Sequence, residues 1–201
     1  MPEPHYKHVK EFLFEEESSY LLHKLETEIP WRQVKYYKPE RGYVVTPRLT
    51  WVCGFHQNEL YELVYASGKK AIPTPIPSWL MDLKWVLEDH LKTKFNFILA
   101  AQYRDEKDSI SYHSDDEYFL GYNPTIASIS VGATKTFYLK HKNTKQVEKF
   151  NLNNGDLFVM KNNCQRDYLH SVPKNIAGKR FSLTFRNALT EAASKNYYKY
   201  N

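Results

Sequence analysis

His113-Ser114-Asp115, the isolated His170 and the stretch Arg180-Phe181-Ser182-Leu183-Thr184-Phe185-Arg186 are the residues of this chain whose types and spacing could do chemistry. On an extended segment, side chains two positions apart point to the same side, so His113 and Asp115 can converge on one cation. The pair alone is weak: with eight histidines and 23 acids in 201 residues, one such pair is expected by chance. Its setting strengthens it, because residues 104–117 are polar and charged and follow an apolar strand pattern. A metal site needs a third ligand. His170, just before Ser171-Val172-Pro173, is the best candidate, although a loop histidine is the plainer reading of that residue taken alone. His5 and His8 lie near the N-terminus, His23 and His90 on helical stretches, His56 in a polar loop, and His141 between lysines. Two imidazoles and one carboxylate suit a non-haem Fe(II) centre, leaving up to three octahedral positions for a bidentate co-substrate and O2. A zinc hydrolase could use the same three residues.

The arginine-bearing stretch favours iron. Phe181, Leu183 and Phe185 face one way, and Arg180, Ser182, Thr184 and Arg186 the other. The polar face carries two guanidiniums, two hydroxyls and no acid. Guanidinium is the side chain suited to fork-like recognition of carboxylate. If this face points into a barrel, its cations need an anion, since unpaired buried charge is costly. A dicarboxylate held by iron at one end would supply it. A solvated edge strand is the other reading.

These residues need elements to bring them together. A helix is expected over residues 9–29, with Ser18 or Ser19 as a cap, Leu21, Leu22 and Leu25 on one face, and Pro30 as its stop. A second runs from about Ser78, its cap, to Lys94, with Leu80, Leu83, Leu87 and Leu91 at helical spacing. Residues 31–52 read as extended pieces and 66–77 as a loop. Strands are expected from Phe95 into Tyr103, and at Ile126–Val131, Thr136–Lys140, Val147–Leu152, Asp156–Met160 and Arg180–Arg186, with a turn at Asn154-Gly155. Helices first and many short strands afterwards predict a mainly β fold with flanking helices (α+β), a sandwich or jelly roll.

The net charge of +5 and pI near 9.0 favour polyanionic partners, though a basic surface also serves solubility. Cys53 and Cys164 form no metal-binding or redox pair and read as buried, inert thiols of a reducing compartment. No apolar run reaches transmembrane length, and residues 1–30 lack the apolar core of a signal peptide. An intracellular soluble protein of nucleus or cytoplasm, without a membrane and as a monomer, is expected.

His113-Ser114-Asp115-Asp116-Glu117, Ile126 to Ala133, His170 before Ser171-Val172-Pro173, and Arg180-x-Ser182-x-Thr184-Phe185-Arg186 together resemble the AlkB family of Fe(II)/2-oxoglutarate dioxygenases, which remove alkyl groups from nucleobases. Pro47-Arg48-Leu49-Thr50, Phe95-Asn96-Phe97 with Tyr103, and Asp108 to Ser111 also fit. The similarity covers roughly residues 45–188 and is closer to the eukaryotic-type nucleic-acid demethylases than to the bacterial founding member. Two departures stand out. The family usually carries Asn where this chain has Ala101, and Asn where it has Ser182. Ala101 offers no side-chain hydrogen bond, which predicts 2-oxoglutarate binding that is intact but weaker, by about 1 kcal/mol for one neutral bond.

The resemblance implies a double-stranded β-helix (jelly roll) in which His113, Asp115 and His170 ligate iron. It implies that Arg180 and Tyr103 hold the distal carboxylate of 2-oxoglutarate and that Arg186 supports its chelating end, with Ser182 a further co-substrate-binding residue that can still donate a hydrogen bond. Asp116 and Glu117 fall where the family contacts the damaged base. It divides the single domain, 1–201, into an N-terminal helix and extension (1–45), a nucleotide-recognition segment and helix (46–94), a catalytic core (95–188) and a tail (189–201). The implied reaction is demethylation of bases such as 1-methyladenine and 3-methylcytosine in DNA or RNA, with 2-oxoglutarate and O2 consumed and succinate and formaldehyde released. A target base must be flipped out or already single-stranded. Tyr61, Tyr65 and Trp51 are stacking candidates, with core packing the plainer role for Trp51. Lys140 and Lys142 are candidates for phosphate contacts, with Arg104, Lys135 and Arg166 extending that surface. Two rivals remain: a hydroxylase of a protein or small molecule on the same iron site, and a catalytically silent nucleic-acid-binding module.

Overall fold

The computed structural model describes residues 5–38, 40, 42–54, 63–64, 70–174 and 176–189. The chain runs β1 (Tyr6–Val9), α1 (Glu15–Thr27), β2 (Arg32–Lys38), β3 (Gly42–Gly54), β4 (Leu63–Val64), β5 (Lys70–Ala71), α2 (Ser78–Leu91), β6 (Phe97–Tyr103), β7 (Ile110–His113), a 3-10 turn (Tyr118–Leu120), β8 (Ile126–Gly132), β9 (Lys135–His141), β10 (Val147–Leu152), β11 (Leu157–Met160), α3 (Cys164–Asp167), β12 (Tyr168–Val172) and β13 (Arg180–Arg186). A seven-stranded sheet has the order β1-β11-β8-β13-β6-β3-β2, and a four-stranded sheet the order β10-β9-β12-β7. Pairing within both is antiparallel. From β6 onward the chain steps repeatedly from one sheet to the other, which is the jelly-roll arrangement the sequence predicts.

The alternation in β13 decides what lies on each face of the large sheet. Phe181, Leu183 and Phe185 are buried in one apolar cluster with Leu21 and Leu25 of α1 and Leu80, Leu83 and Leu87 of α2. Each such side chain, fully buried, contributes about 1.5–3 kcal/mol. The opposite face carries Arg180, Ser182, Thr184 and Arg186, which line a cavity. The helices therefore cover one side of the large sheet, and the site lies on the other.

Several expectations are corrected. The helix expected over 9–29 starts only at Glu15, because Tyr6–Val9 pairs with β11 as an edge strand. Neither Ser18 nor Ser19 caps it. The Phe14 N–H donates to Glu17 Oε2 (2.8 Å), and the Ser18 hydroxyl donates back to the Phe14 carbonyl inside the helix. In α2, Pro77 takes the cap position and Ser78 is the first helical residue. The helix stops at Leu91, where Lys92 turns left-handed (φ 50°), short of Lys94. Asn154-Gly155 does form a turn, with Gly155 at φ +79°, a conformation only glycine adopts cheaply. It joins β10 to β11 across the two sheets and closes no hairpin. Within the segment read as a loop, Lys70–Ala71 pairs with Leu63–Val64, and Thr74 bridges Cys53. Trp51 packs in the helix-side core, and Cys53 and Cys164 are both buried. Burial pushes the Cys164 thiol up to about 12, so neither chemistry nor exposure marks it as reactive.

Candidate metal centre and anion pocket

Strand pairing brings the two histidines together. β7 and β12 are antiparallel neighbours with His113 opposite His170, and their ring centroids are 4.2 Å apart. His170 is thus a strand residue, correcting the loop reading. His113 Nδ1 lies 2.8 Å from the Ser111 carbonyl, which can only accept, so Nδ1 donates and Nε2 presents its lone pair. His170 is buried and stacks beside Phe137 at 5.6 Å. Burial, and then the neighbouring His113, push its pKa down to about 3, which keeps the ring neutral and able to ligate.

Asp115 follows just past the end of β7. Its Oδ1 lies 3.6 Å from His113 Nε2 and 3.9 Å from His170 Nε2, and one ligand atom from each residue falls within 4.8 Å of the others. Ligand bonds of about 2 Å to a central ion fit such separations. Asp115 Oδ2 accepts from Arg186 Nη2 at 2.6 Å. Burial opposes ionisation of this carboxyl, but Arg186 and the two imidazoles outweigh it and hold it well below the usual range. The Asp115 N–H donates to Gln165 Oε1 at 2.8 Å, and the Ser114 hydroxyl donates to the Tyr168 carbonyl at 2.9 Å.

The same cavity, about 610 Å³, reaches Arg180, Tyr103, Ser182 and Arg186. Arg180 is only 2% exposed, stands opposite Tyr103 in the β6–β13 ladder, and lies 5.4 Å from that ring. Its Nη2 donates to the Ser130 hydroxyl at 2.8 Å, while its buried Nε has no partner among the described residues. No carboxylate among the described residues pairs with it. Ser182 Oγ lies 2.9 Å from Ser128 Oγ. Ala101 sits between Ser182 and Thr50 in register, so hydroxyls flank the position where an amide is missing.

The expected base-contacting residues divide. Glu117 lines the cavity; burial and the nearby Asp115 push its carboxyl up to about 7. Asp116 is partly buried outside that lining, its pKa raised mainly by burial. The Lys140 ammonium lies 5.5 Å over the Tyr112 ring, and the Lys142 ammonium donates to the Gln165 carbonyl at 2.9 Å. In the wider basic surface, Lys135 is corrected: it is buried with its ammonium on the Asp105 and Ile176 carbonyls. Arg104 and Arg166 keep exposed side chains, paired with Asp108 and Asp167. Tyr61 and Tyr65 lie outside the described residues. Sequence reasoning gave no role to Gln165, Ser130 or Tyr112, and none individually to Arg48, which lines the cavity with a buried Nε that lacks a partner among the described residues. An arginine following proline between apolar residues was the available signal for Arg48.

Two imidazole nitrogens and a carboxylate oxygen form a donor set suited to ferrous iron, and a buried guanidinium with no carboxylate partner among the described residues suits a carboxylate in the same cavity. The residues present therefore fit an iron ion and a dicarboxylate co-substrate.

Comparison with known proteins agrees. Residues 6–186 match the family model described as the 2OG-Fe(II) oxygenase superfamily. The chain is 37% identical over 184 residues to the mouse alpha-ketoglutarate-dependent dioxygenase alkB homolog 3, covering 85% of this chain and 61% of that protein. It is 30% identical to the DNA oxidative demethylase ALKBH2 of Arabidopsis thaliana, covering 90% and 66%. The chain thus spans about three fifths of the length of the mouse relative. The solved structure of OsALKBH1 superposes with a TM-score of 0.62 at 15% identity, covering 93% of this chain and 98% of that one, and shares its fold. No described helix is long and apolar enough to cross a membrane.

Proposed function

We propose, from the premise that this chain belongs to the 2OG-Fe(II) oxygenase superfamily, that it oxidatively demethylates N-alkylated nucleobases such as 1-methyladenine and 3-methylcytosine in DNA or RNA. The observation that carries this reading is the meeting of His113, Asp115 and His170 in one cavity with Arg180, which no carboxylate among the described residues pairs, in a chain 37% identical to an alkB homolog 3. Residues 95–188 form the catalytic core in this reading.

His113 Nε2, His170 Nε2 and Asp115 Oδ1 would hold Fe(II). The bound iron, with 2-oxoglutarate and O2, would supply the oxidising power; succinate, carbon dioxide and formaldehyde are the by-products. The protein's own part is placement and exclusion of water. Arg180, with Tyr103 and Ser182, binds the far carboxylate of the co-substrate. Arg186 keeps Asp115 ionised and turned toward the histidines. Glu117, on the cavity wall with Asp116 beside it, favours a base that carries the positive charge N-methylation confers. Lys140 and Lys142 lie on the turn side of β9, where a phosphate backbone could pass, and Tyr61 and Tyr65 remain candidates for stacking. We place the protein as a monomer of the nucleus or cytoplasm, where such substrates occur; sedimentation and cell fractionation check both.

The test is product analysis on methylated single- and double-stranded DNA and RNA oligonucleotides supplied with Fe(II) and 2-oxoglutarate. Loss of the methyl group with matching succinate supports the reading. Co-substrate consumption that no oligonucleotide stimulates would point to a protein or small-molecule hydroxylase, and oligonucleotide binding without succinate to a silent binding module.

A further inference from the structure

We infer that Gln165, held from behind by Lys142, is a positioning residue for the metal ligand Asp115. The inference rests on the proposed ligand set of His113, Asp115 and His170.

The three ligands are not held in the same way. His113 and His170 are locked by the β7–β12 ladder, which registers one against the other. Asp115 lies beyond the last residue of β7, so that ladder does not reach it. Its carboxylate is turned by Arg186, but a side-chain contact alone leaves its backbone free to swing. Gln165 supplies the missing anchor. Its Oε1 accepts the Asp115 N–H at 2.8 Å, and a backbone N–H can only donate, which fixes the orientation of the amide. The amide nitrogen then donates to Met160 Sδ at 3.4 Å. Gln165 is 1% exposed, so water does not compete for these bonds.

Gln165 is itself held. It belongs to α3, the turn directly before β12, and its carbonyl accepts the Lys142 ammonium at 2.9 Å. It lies five positions before His170, so the segment that delivers the third ligand also pins the second. The Ser114 hydroxyl on the Tyr168 carbonyl is a second stitch between the same two segments. Removing the Gln165 acceptor would leave a buried N–H unpaired at the ligand residue itself, and the cheapest relief is movement of Asp115 away from the histidines.

The test uses the full chain, stripped of metal and titrated with Co(II), an air-stable probe of a ferrous site. Affinity is read by chelator competition and ligand geometry by the visible absorption of bound Co(II). Gln165→Leu is expected to bind Co(II) about 10–100-fold more weakly, the usual loss for an outer-shell partner, with a changed visible spectrum. Gln165→Glu keeps an oxygen acceptor at the same reach and is expected to recover most of the affinity. Ser18→Ala removes buried hydrogen bonds on the helix side of the sheet, far from the cavity; it is expected to lower the melting temperature and leave Co(II) binding unchanged. Lys142→Met, at a half-buried turn, is expected to weaken Co(II) binding severalfold and serves if Gln165→Leu does not fold. Wild-type affinity and spectrum in Gln165→Leu, or in Lys142→Met, would overturn the inference. So would a loss in Ser18→Ala equal to that in Gln165→Leu. A wild-type chain that binds no Co(II) overturns the ligand set itself, and is distinguished from those outcomes by the unmutated control.

Discussion

Arg180 and Arg186 lie on the same strand, face the same cavity and are both buried, yet the fold treats them differently. Arg186 meets Asp115 at 2.6 Å, so its charge is answered inside the protein. Arg180 has the Ser130 hydroxyl and the Tyr103 ring, but no carboxylate among the described residues. A buried cation without its anion is something a fold keeps only at a cost. The pair therefore separates two jobs on one strand. In the proposed reading, Arg186 serves the architecture of the metal centre, and Arg180 waits for a carboxylate that arrives from solution.

Mutations can break this contrast. Asp115→Ala is expected to abolish turnover and metal binding, and also to remove the carboxylate that meets Arg186; equilibrium unfolding should show a loss of about 3–5 kcal/mol. Arg186→Met should cost a similar amount by stranding the carboxylate instead. Arg180→Met is expected to do the opposite in the metal-free protein. It removes a buried charge that no carboxylate among the described residues answers, and calorimetry should find a melting temperature equal to or above wild type. Destabilisation by Arg180→Met as large as that by Arg186→Met would erase the distinction.

Glu88 sharpens the comparison from outside the cavity. Like Arg186, it is a buried charge satisfied internally, by Lys84 at 2.8 Å and the Phe95 N–H at 2.7 Å. Burial pulls its pKa up, but these partners win and leave it below the usual carboxylate value. Its stabilising contribution is thus present in full above the unfolded-state pKa, about 4.3, and fades as pH falls through the lower folded value. Glu88→Gln should flatten the acid limb of stability against pH while leaving co-substrate affinity untouched. The smallest effect is expected at Lys140: Lys140→Ala should reduce the salt dependence of oligonucleotide binding by about one unit of slope. An unchanged slope would remove Lys140 from the phosphate path.

Much of the site was legible because its chemistry is written in short spacings. The His-x-Asp pair and the alternation from Arg180 to Arg186 need only the two-residue period of a strand to be read. The third ligand was harder. His170 is paired on both sides, with His113 of β7 and Leu139 of β9, and such long-range pairing leaves no local pattern in a five-residue strand before proline. β1 was hidden for a similar reason: its hydrogen bonds go to β11, about 150 residues away in sequence. Gln165 was invisible because its role is a bond to the backbone of another segment, which any amide residue could make. Lys135 misled because lysine is usually exposed; here its ammonium is absorbed by two loop carbonyls.

In the proposed reading, a carboxylate from solution completes the charge of Arg180 next to the three ligands. Calorimetric titration of 2-oxoglutarate into Mn(II)-loaded protein tests this most directly. Wild type should bind, and Arg180→Met should lose about 2–5 kcal/mol of affinity, roughly 30-fold or more, with its metal content unchanged. Equal affinity in the two proteins would contradict it.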